Sequence, residues 1–251
     1  LERFHRKAEI IQAWGDLKDP AQAGRMIIDC TMNLPLLYWA SEQTGDPRFA
    51  DAAKAHVRQS AKYLVRDDAS TYHTYYMDVQ TGAPRFGNTQ QGYADDSCWS
   101  RGQAWGIYGF MLSYLYTGDK ELISLSKKLA NYFLNRLPED AVCHWDLALQ
   151  GTDALRDSSS AAIAVCGLLE LVKSLPVTDP DRARYQQWAM GMMSSLTKHY
   201  LTGLDEPGNG LLKHSVYHLA GNKGVDECSS WGDYFYVEAL VRMTQSWKLY
   251  W

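Results

Sequence analysis

"SEQTGDPRFADAAKAHVRQSAKYL" (41–64) and "SYLYTGDKELISLSKKLANYF" (113–133) carry the same three residues, Thr-Gly-Asp, between two apolar-periodic runs. The glycine suits the left-handed conformation that ends a helix. The aspartate after it offers a side-chain oxygen to the free N–H groups that begin the next helix. Each stretch therefore reads as helix, tight turn, helix. "TDPD" (178–181) repeats the logic, with Pro180 suited to a first turn. Apolar residues at spacings of three and four predict seven helical segments, over 26–43, 47–66, 97–116, 119–136, 158–174, 180–201 and 230–247. Tight turns alternate with long connections between them. Hairpins joined in this way predict an all-α toroid, with the tight turns on one rim and the working loops on the other. The spacing is too loose for the common solenoid classes. No linker or low-complexity run divides the chain, so residues 1–251 are expected to form one domain.

The long connections hold the irregular stretches. "TYHTYYMDVQTGAPRF" (71–86) alternates like two short strands around a Thr-Gly turn. "GLLKHSVYH" (210–218) reads as another short strand, and "AEIIQAW" (8–14) stays open between strand and helix.

Composition narrows the function. Of 251 residues, 46% are hydrophobic and 22% charged, and the net charge of −4 comes with no basic run. That argues against a nucleic-acid partner. No stretch of about 20 apolar residues is free of charge, so no membrane span is expected. Five cysteines, an odd count with no C-x-x-C pair, read as buried thiols in a reducing, cytoplasmic setting. Histidines are scattered, and neither a metal nor a cofactor is expected. Nine Trp and sixteen Tyr supply flat apolar faces with polar edges, which suit either a large helical core or a sugar cleft.

Three polar-aromatic clusters at loop-to-helix junctions are the candidate chemistry. In "DDSCWSRGQAWG" (95–106), Asp95, Asp96 and Ser97 look like capping residues for a buried helix. Arg101 and Trp105 share a face there, and no anion stands at helical spacing from Arg101. A structural ion pair with a distant acid and a functional cation are both open. In "GRMIIDCTMNLPLLYWA" (24–40), Asp29 sits alone among apolar residues, one helical turn before Asn33. A carboxyl in such surroundings has its pKa raised, as a general acid requires, although a capping role is equally open. His73 lies in the expected hairpin, Gln90 and Gln91 precede the Arg101 helix, and Trp14 lies in "IIQAWGDL" (10–17). Asp157 and Ser229 read as simple helix caps.

"MIIDCTMNLPLLYWASEQTGDPRF" (26–49), "TYHTYYMDVQTGAP" (71–84), "GYADDSCWSRGQAWGIYGF" (92–110), "RDSSSAAIAVCGLLEL" (156–171) and "VDECSSWGDYFYVEAL" (225–240) resemble the unsaturated glucuronyl hydrolases, glycoside hydrolase family 88. The resemblance runs from about residue 3 to the C-terminus, with the motifs in family order. It implies an (α/α)6 barrel and a bacterial cytoplasmic enzyme of glycosaminoglycan degradation. The implied substrates are unsaturated di- or oligosaccharides left by polysaccharide lyases. The implied reaction is hydration of the 4,5-unsaturated uronic acid at the non-reducing end: an acid protonates C4, water adds at C5, and the hemiketal collapses. Asp29 matches the family's general acid and base. His73 matches the family's hairpin histidine, near the water and the uronate, Gln91 a glutamine on the substrate, and Gln90 a variable position facing the next sugar. Asn33 falls within the catalytic motif. Trp99, Arg101 and Trp105 match one cluster, in which Arg101 is expected to meet the substrate carboxylate while Trp105 and Trp14 wall the sugar. The family's N-terminal region has no counterpart here, and seven helices cannot close a six-hairpin ring. The chain is therefore expected to be an incomplete barrel with an exposed apolar flank that invites self-association. Two other readings remain open: an unsaturated rhamnogalacturonyl hydrolase, and an inactive fragment that binds only sugar or a partner.

Overall fold

A computed structural model describes residues 1–151 and 153–246. Its helices are α1 (Leu34–Thr44), α2 (Pro47–Tyr63), α3 (Ser100–Thr117), α4 (Lys120–Leu134), α5 (Ser158–Ser174), α6 (Pro180–Ser195) and α7 (Ser230–Thr244). The Thr-Gly-Asp turns form as expected. Gly45 and Gly118 are left-handed, with φ of 72° and 68°. Asp46 and Asp119 then accept from the N–H groups of Arg48 and Glu121, each at 3.0 Å. Asp179 caps α6 in the same way, with Pro180 in its first turn.

These turns make three hairpins, α1–α2, α3–α4 and α5–α6. The hairpins lie side by side through the odd-numbered helices, α1 on α3, α3 on α5, and α5 on α7. The odd helices run the same way, so the N-termini of α3, α5 and α7 and the long loops share one rim, and the tight turns take the other. Among the described residues this is an arc of an α/α toroid. None of its helices is long and apolar enough to cross a membrane.

Three small antiparallel sheets accompany the helices, one along α2 and two on the loop rim. β1 (Phe4–His5) pairs with β2 (Ile10–Ile11), which settles the open reading of 8–14. β4 (Thr74–Met77) and β5 (Pro84–Asn88) form the expected hairpin, and β3 (Arg25–Ile27) adds a third strand to it. β6 (Ser215–His218), a strand in the sequence reading too, pairs with β7 (Lys223–Glu227), which was not expected.

Two predicted helix starts are corrected. Residues 26–33 are not helical in the α sense: β3 is followed by a tight 3₁₀ turn, Ile28–Met32, and α1 begins only at Leu34. Pro35 is the reason, because its ring is tolerated in a first turn and would break a helix interior. α3 begins at Ser100, not 97, and Asp95, Asp96 and Ser97 do not cap it. Ser97 Oγ and the N–H of Cys98 bond instead to Asp146, a buried carboxylate that also accepts from the N–H groups of Tyr93 and Ala148. The predicted 180–201 segment changes to a π turn at Leu196–Tyr200. Residue 247, the end of the last predicted segment, lies outside the described residues.

From Ser100 to Ser113 every residue of α3 except Trp105 is buried. Gly109 lets α3 approach the 3₁₀ turn, since a Cβ there would run into the side chain and backbone of Thr31. Gly109→Ala gains about 1 kcal/mol of helix propensity and forces an overpacking cost of about 1–3 kcal/mol. The backbone of Thr31 cannot swing aside as a side chain could, so the cost wins. A urea titration should show a lower midpoint with an unchanged slope.

Candidate active site

The register of β3 on β4 builds the centre of the site. Ile27 lies opposite Thr74, and the N–H of Ile28 donates to the carbonyl of His73 at 3.1 Å. Asp29 is therefore delivered beside His73, with His73 Nε2 at 3.9 Å from Asp29 Oδ2. The N–H groups of Gln90 and Gln91 both donate to His73 Nδ1, at 3.1 and 3.2 Å. With Nδ1 an acceptor twice over, the neutral ring carries its proton on Nε2, on the side of Asp29. Burial, then the fields of Arg101, His218 and Arg25, pull the pKa of His73 down to about 3, so the imidazole is neutral.

Asp29 lies on an open cleft of 470 Å³ with Met32, Asn33, Leu36, Trp105, Tyr234 and Phe235. The side chain keeps 29% of its surface accessible, yet Oδ2 is solvent-free and has no hydrogen-bond partner among the described residues. Burial raises its pKa to about 6, against the opposing effects of a backbone hydrogen bond and Arg101. A carboxyl so tuned holds a proton near neutrality and can still release it, which general acid–base chemistry requires. Trp105 Nε1 is likewise buried without a partner, and its ring meets Phe235 edge-on at 5.3 Å.

Beside the cleft the flat groups form one continuous file. Trp14 lies 6.3 Å from His73, His73 4.4 Å from Trp99, and the Arg101 guanidinium 4.6 Å from Trp99 and 5.3 Å from Trp231. Tyr217 follows Trp231 at 5.3 Å. Trp14 is 39% exposed, held in place as Arg3 bonds the carbonyls of Gln12 and Gly15 on either side. Arg25 stacks on it at 4.6 Å.

One expectation about this file is corrected. Arg101 does have an anion in the chain: Nη1 meets Asp157 Oδ2 at 2.7 Å, with both side chains buried. Asp157 also caps α5, accepting from the N–H of Ser159 and of Ser160. Reading it as a cap was correct but incomplete. Ser229 is a cap as read, accepting from the N–H of Gly232 at 3.2 Å.

The other candidates divide. Asn33 and Trp105 join Asp29 on the cleft. Gln90 is exposed and reaches the centre through its backbone alone. Gln91 donates its Nε2 to the carbonyl of Tyr217 at 2.6 Å, which leaves its amide oxygen to offer a ligand, an acceptor suited to a hydroxyl rather than a carboxylate. Tyr234, Phe235, Tyr217 and Asp146 were missed. Tyr234 and Phe235 stand in the quoted "VDECSSWGDYF", but nothing in the spacing ties that stretch to Asp29. A larger cleft of 630 Å³ runs between α2 and α4, where Arg58, Lys62, Lys120, Lys128, Asp119 and Glu121 are exposed side chains with no buried acid among them.

Fold and cleft together place the chain in the α/α-toroid class, with an acidic residue on an aromatic-walled cleft at the loop rim. Residues 3–249 match Glycosyl Hydrolase Family 88, and the chain belongs to that family. It is 48% identical to the unsaturated chondroitin disaccharide hydrolase of Streptococcus pneumoniae, over all of this chain and 63% of the relative. It is 45% identical to the unsaturated glucuronyl hydrolase of Bacillus sp. GL1, over all of this chain and 67% of the relative. The crystal structure of an unsaturated glucuronyl hydrolase from Streptococcus agalactiae superposes with a TM-score of 0.96 at 49% identity, covering all of this chain and 63% of that one. The chain thus spans 63% of the length of the pneumococcal relative.

Proposed function

We propose that this chain carries the catalytic α/α unit of an unsaturated glucuronyl hydrolase, with Asp29 as general acid and then general base. The observation that carries the reading is the Asp29 carboxyl, raised to about 6, on an aromatic cleft with Oδ2 unpartnered and 3.9 Å from His73. Protonated Asp29 donates to C4 of the enol ether and leaves positive charge at C5. The resulting carboxylate takes a proton from water as its oxygen bonds to C5. The hemiketal then opens and releases the neighbouring sugar. Neutral His73, 3.9 Å from Asp29, supports this because it sets no full positive charge beside the carboxyl to lower its pKa. Trp105 and Trp14 supply ring faces for the sugar, Asn33 lies at the cleft edge, and the Gln91 amide oxygen receives a hydroxyl.

The names of relatives that act on chondroitin disaccharides favour a glycosaminoglycan-derived substrate. A crystal structure from Streptococcus agalactiae holding dGlcA-GalNAc6S, at 49% identity and a TM-score of 0.82, supports the same class. Cys30, Cys98, Cys143 and Cys166 are buried free thiols, while Cys228 is exposed, against the expectation of five buried ones; the free thiols support a reducing, cytoplasmic setting, and the bacterial relatives support a bacterial source. Exposed Trp39 and Val237 on α1 and α7, outside the lining of the cleft, support self-association. The test follows loss of the ultraviolet band of the double bond with lyase-derived disaccharides. Faster loss with chondroitin-derived than with pectin-derived sugar is expected; the reverse order, or no loss from either, overturns the proposal.

Trp105→Ala removes a ring face worth on the order of 1–2 kcal/mol. KM should rise about tenfold with a smaller change in Tm. An unchanged KM with a large fall in Tm would mark Trp105 as a core residue only.

A further inference from the structure

The Arg101 guanidinium is shared among parts of the chain far apart in sequence. Nη1 donates to Asp157 Oδ2 at 2.7 Å and to the carbonyl of Val216 at 2.8 Å, and Nη2 donates to the carbonyl of Tyr217 at 2.9 Å. Gln91 Nε2 reaches the same Tyr217 carbonyl at 2.6 Å. Donors from α3 and from the loop before it thus converge on one carbonyl of β6.

The first residues of the β6–β7 hairpin have other anchors. The N–H of Ser158 bonds the carbonyl of His214, and Ser215 Oγ lies among the hydroxyls of Ser158 and Ser229. Beyond Ser215, among the described residues, the hydrogen bonds that join the hairpin to the helical body are those at Val216 and Tyr217. The β6–β7 register also shifts between Ser215 and Val216, so the strand is weakest where these bonds take over.

We infer that Asp157 is a positioning residue: with Arg101 it forms a buried clasp that holds the β6–β7 hairpin against the aromatic file beside the cleft and fixes how Gln91 is presented to the substrate. The physical reason is a division of labour. Carbonyls orient a guanidinium but do not offset the cost of burying its charge, and Asp157 does. The planar fork serves a carboxylate and two carbonyls at once, which a point-like ammonium cannot. The inference rests on the cleft being the substrate site, as proposed above.

Amide hydrogen exchange and steady-state kinetics on wild type, Asp157→Asn and Arg101→Lys separate the two ideas. Asn keeps an oxygen for the N-cap of α5, while it removes the charge and turns the acceptor that meets Arg101 Nη1 and Ser160 Oγ into a donor. Exchange over 215–227 should quicken about tenfold or more while amides of 158–174 stay as in wild type. KM for the unsaturated disaccharide should rise, with kcat changed less than about threefold. If Asp157→Asn does not fold, Arg101→Lys carries the test, with the same hairpin-confined loosening expected. Unchanged hairpin exchange, or equal loosening of α5 and the hairpin, overturns the clasp. Hairpin loosening with KM unmoved upholds the clasp and overturns its role in presenting substrate. Confined loosening with no turnover even in wild type leaves the clasp standing and counts against the proposed function.

Discussion

Asp29→Asn is expected to lower turnover of the unsaturated disaccharide by about 10²–10⁴-fold, toward the upper end because one carboxyl serves as acid and as base. The same substitution is expected to stabilise the fold at neutral pH. The native carboxyl titrates at about 6, above its ordinary value of 3.8, so the folded chain binds this proton more tightly than the unfolded chain. Its contribution is therefore greatest below about pH 4 and is lost as pH rises through about 6. A shift of two units corresponds to at most roughly 3 kcal/mol, and the accessible part of the side chain reduces that. Asn carries no charge to bury, so the Tm of the variant should exceed that of wild type above pH 6, with the difference shrinking toward pH 4. Activity of wild type should fall over the same upper range, as Asp29 loses its proton. Near-normal turnover in Asp29→Asn would end the catalytic assignment, and equal melting at pH 8 would show that the carboxyl is not held in an apolar setting.

Arg101→Ala should be the most destabilising of these changes. It leaves Asp157 charged, wholly buried and without its cation, and breaking such a pair typically costs about 3–5 kcal/mol. For a chain of this size the fall in Tm is on the order of 10 °C. Arg101→Lys keeps the charge and should lose part of that. The ratio of activity on the uronic acid to activity on its methyl ester separates a positioning role from direct binding of the carboxylate. With the guanidinium already held by Asp157, Val216 and Tyr217, the ratio should stay at the wild-type value in Arg101→Lys while Tm falls. A collapse of the ratio with Tm unchanged would return Arg101 to the substrate.

The features legible in the sequence are those whose causes lie within a few residues. Gly45 with Asp46, and Gly118 with Asp119, define their turns because backbone conformation and capping are local. Hairpin 71–86 was legible for the same reason, through its alternation and its Thr-Gly turn. Asp29 stood out as an acid in an apolar run, and the family resemblance named Trp14, His73, Gln91, Trp99 and Trp105 as its companions but set no distance between any of them and Asp29. The start of α3 was misread because its capping signal is spent elsewhere: Asp95 accepts from the N–H of Thr89, and Ser97 donates to Asp146, 49 residues away. Residues 26–33 were misread because pairing with β4 outweighs helical periodicity once Pro35 bars an earlier start.

The sequence by itself determined the hairpins, the loop rim and the acid, since each rests on short-range sterics, capping or apolar spacing. Only the tertiary structure decided that Asp29 meets His73 and that Arg101 is answered by Asp157, 56 residues away. A carboxylate that caps its own helix gives no local sign of a second partner. Whether two charges become a buried pair depends on which helices pack together and how much water they exclude, and that is decided by the whole core at once.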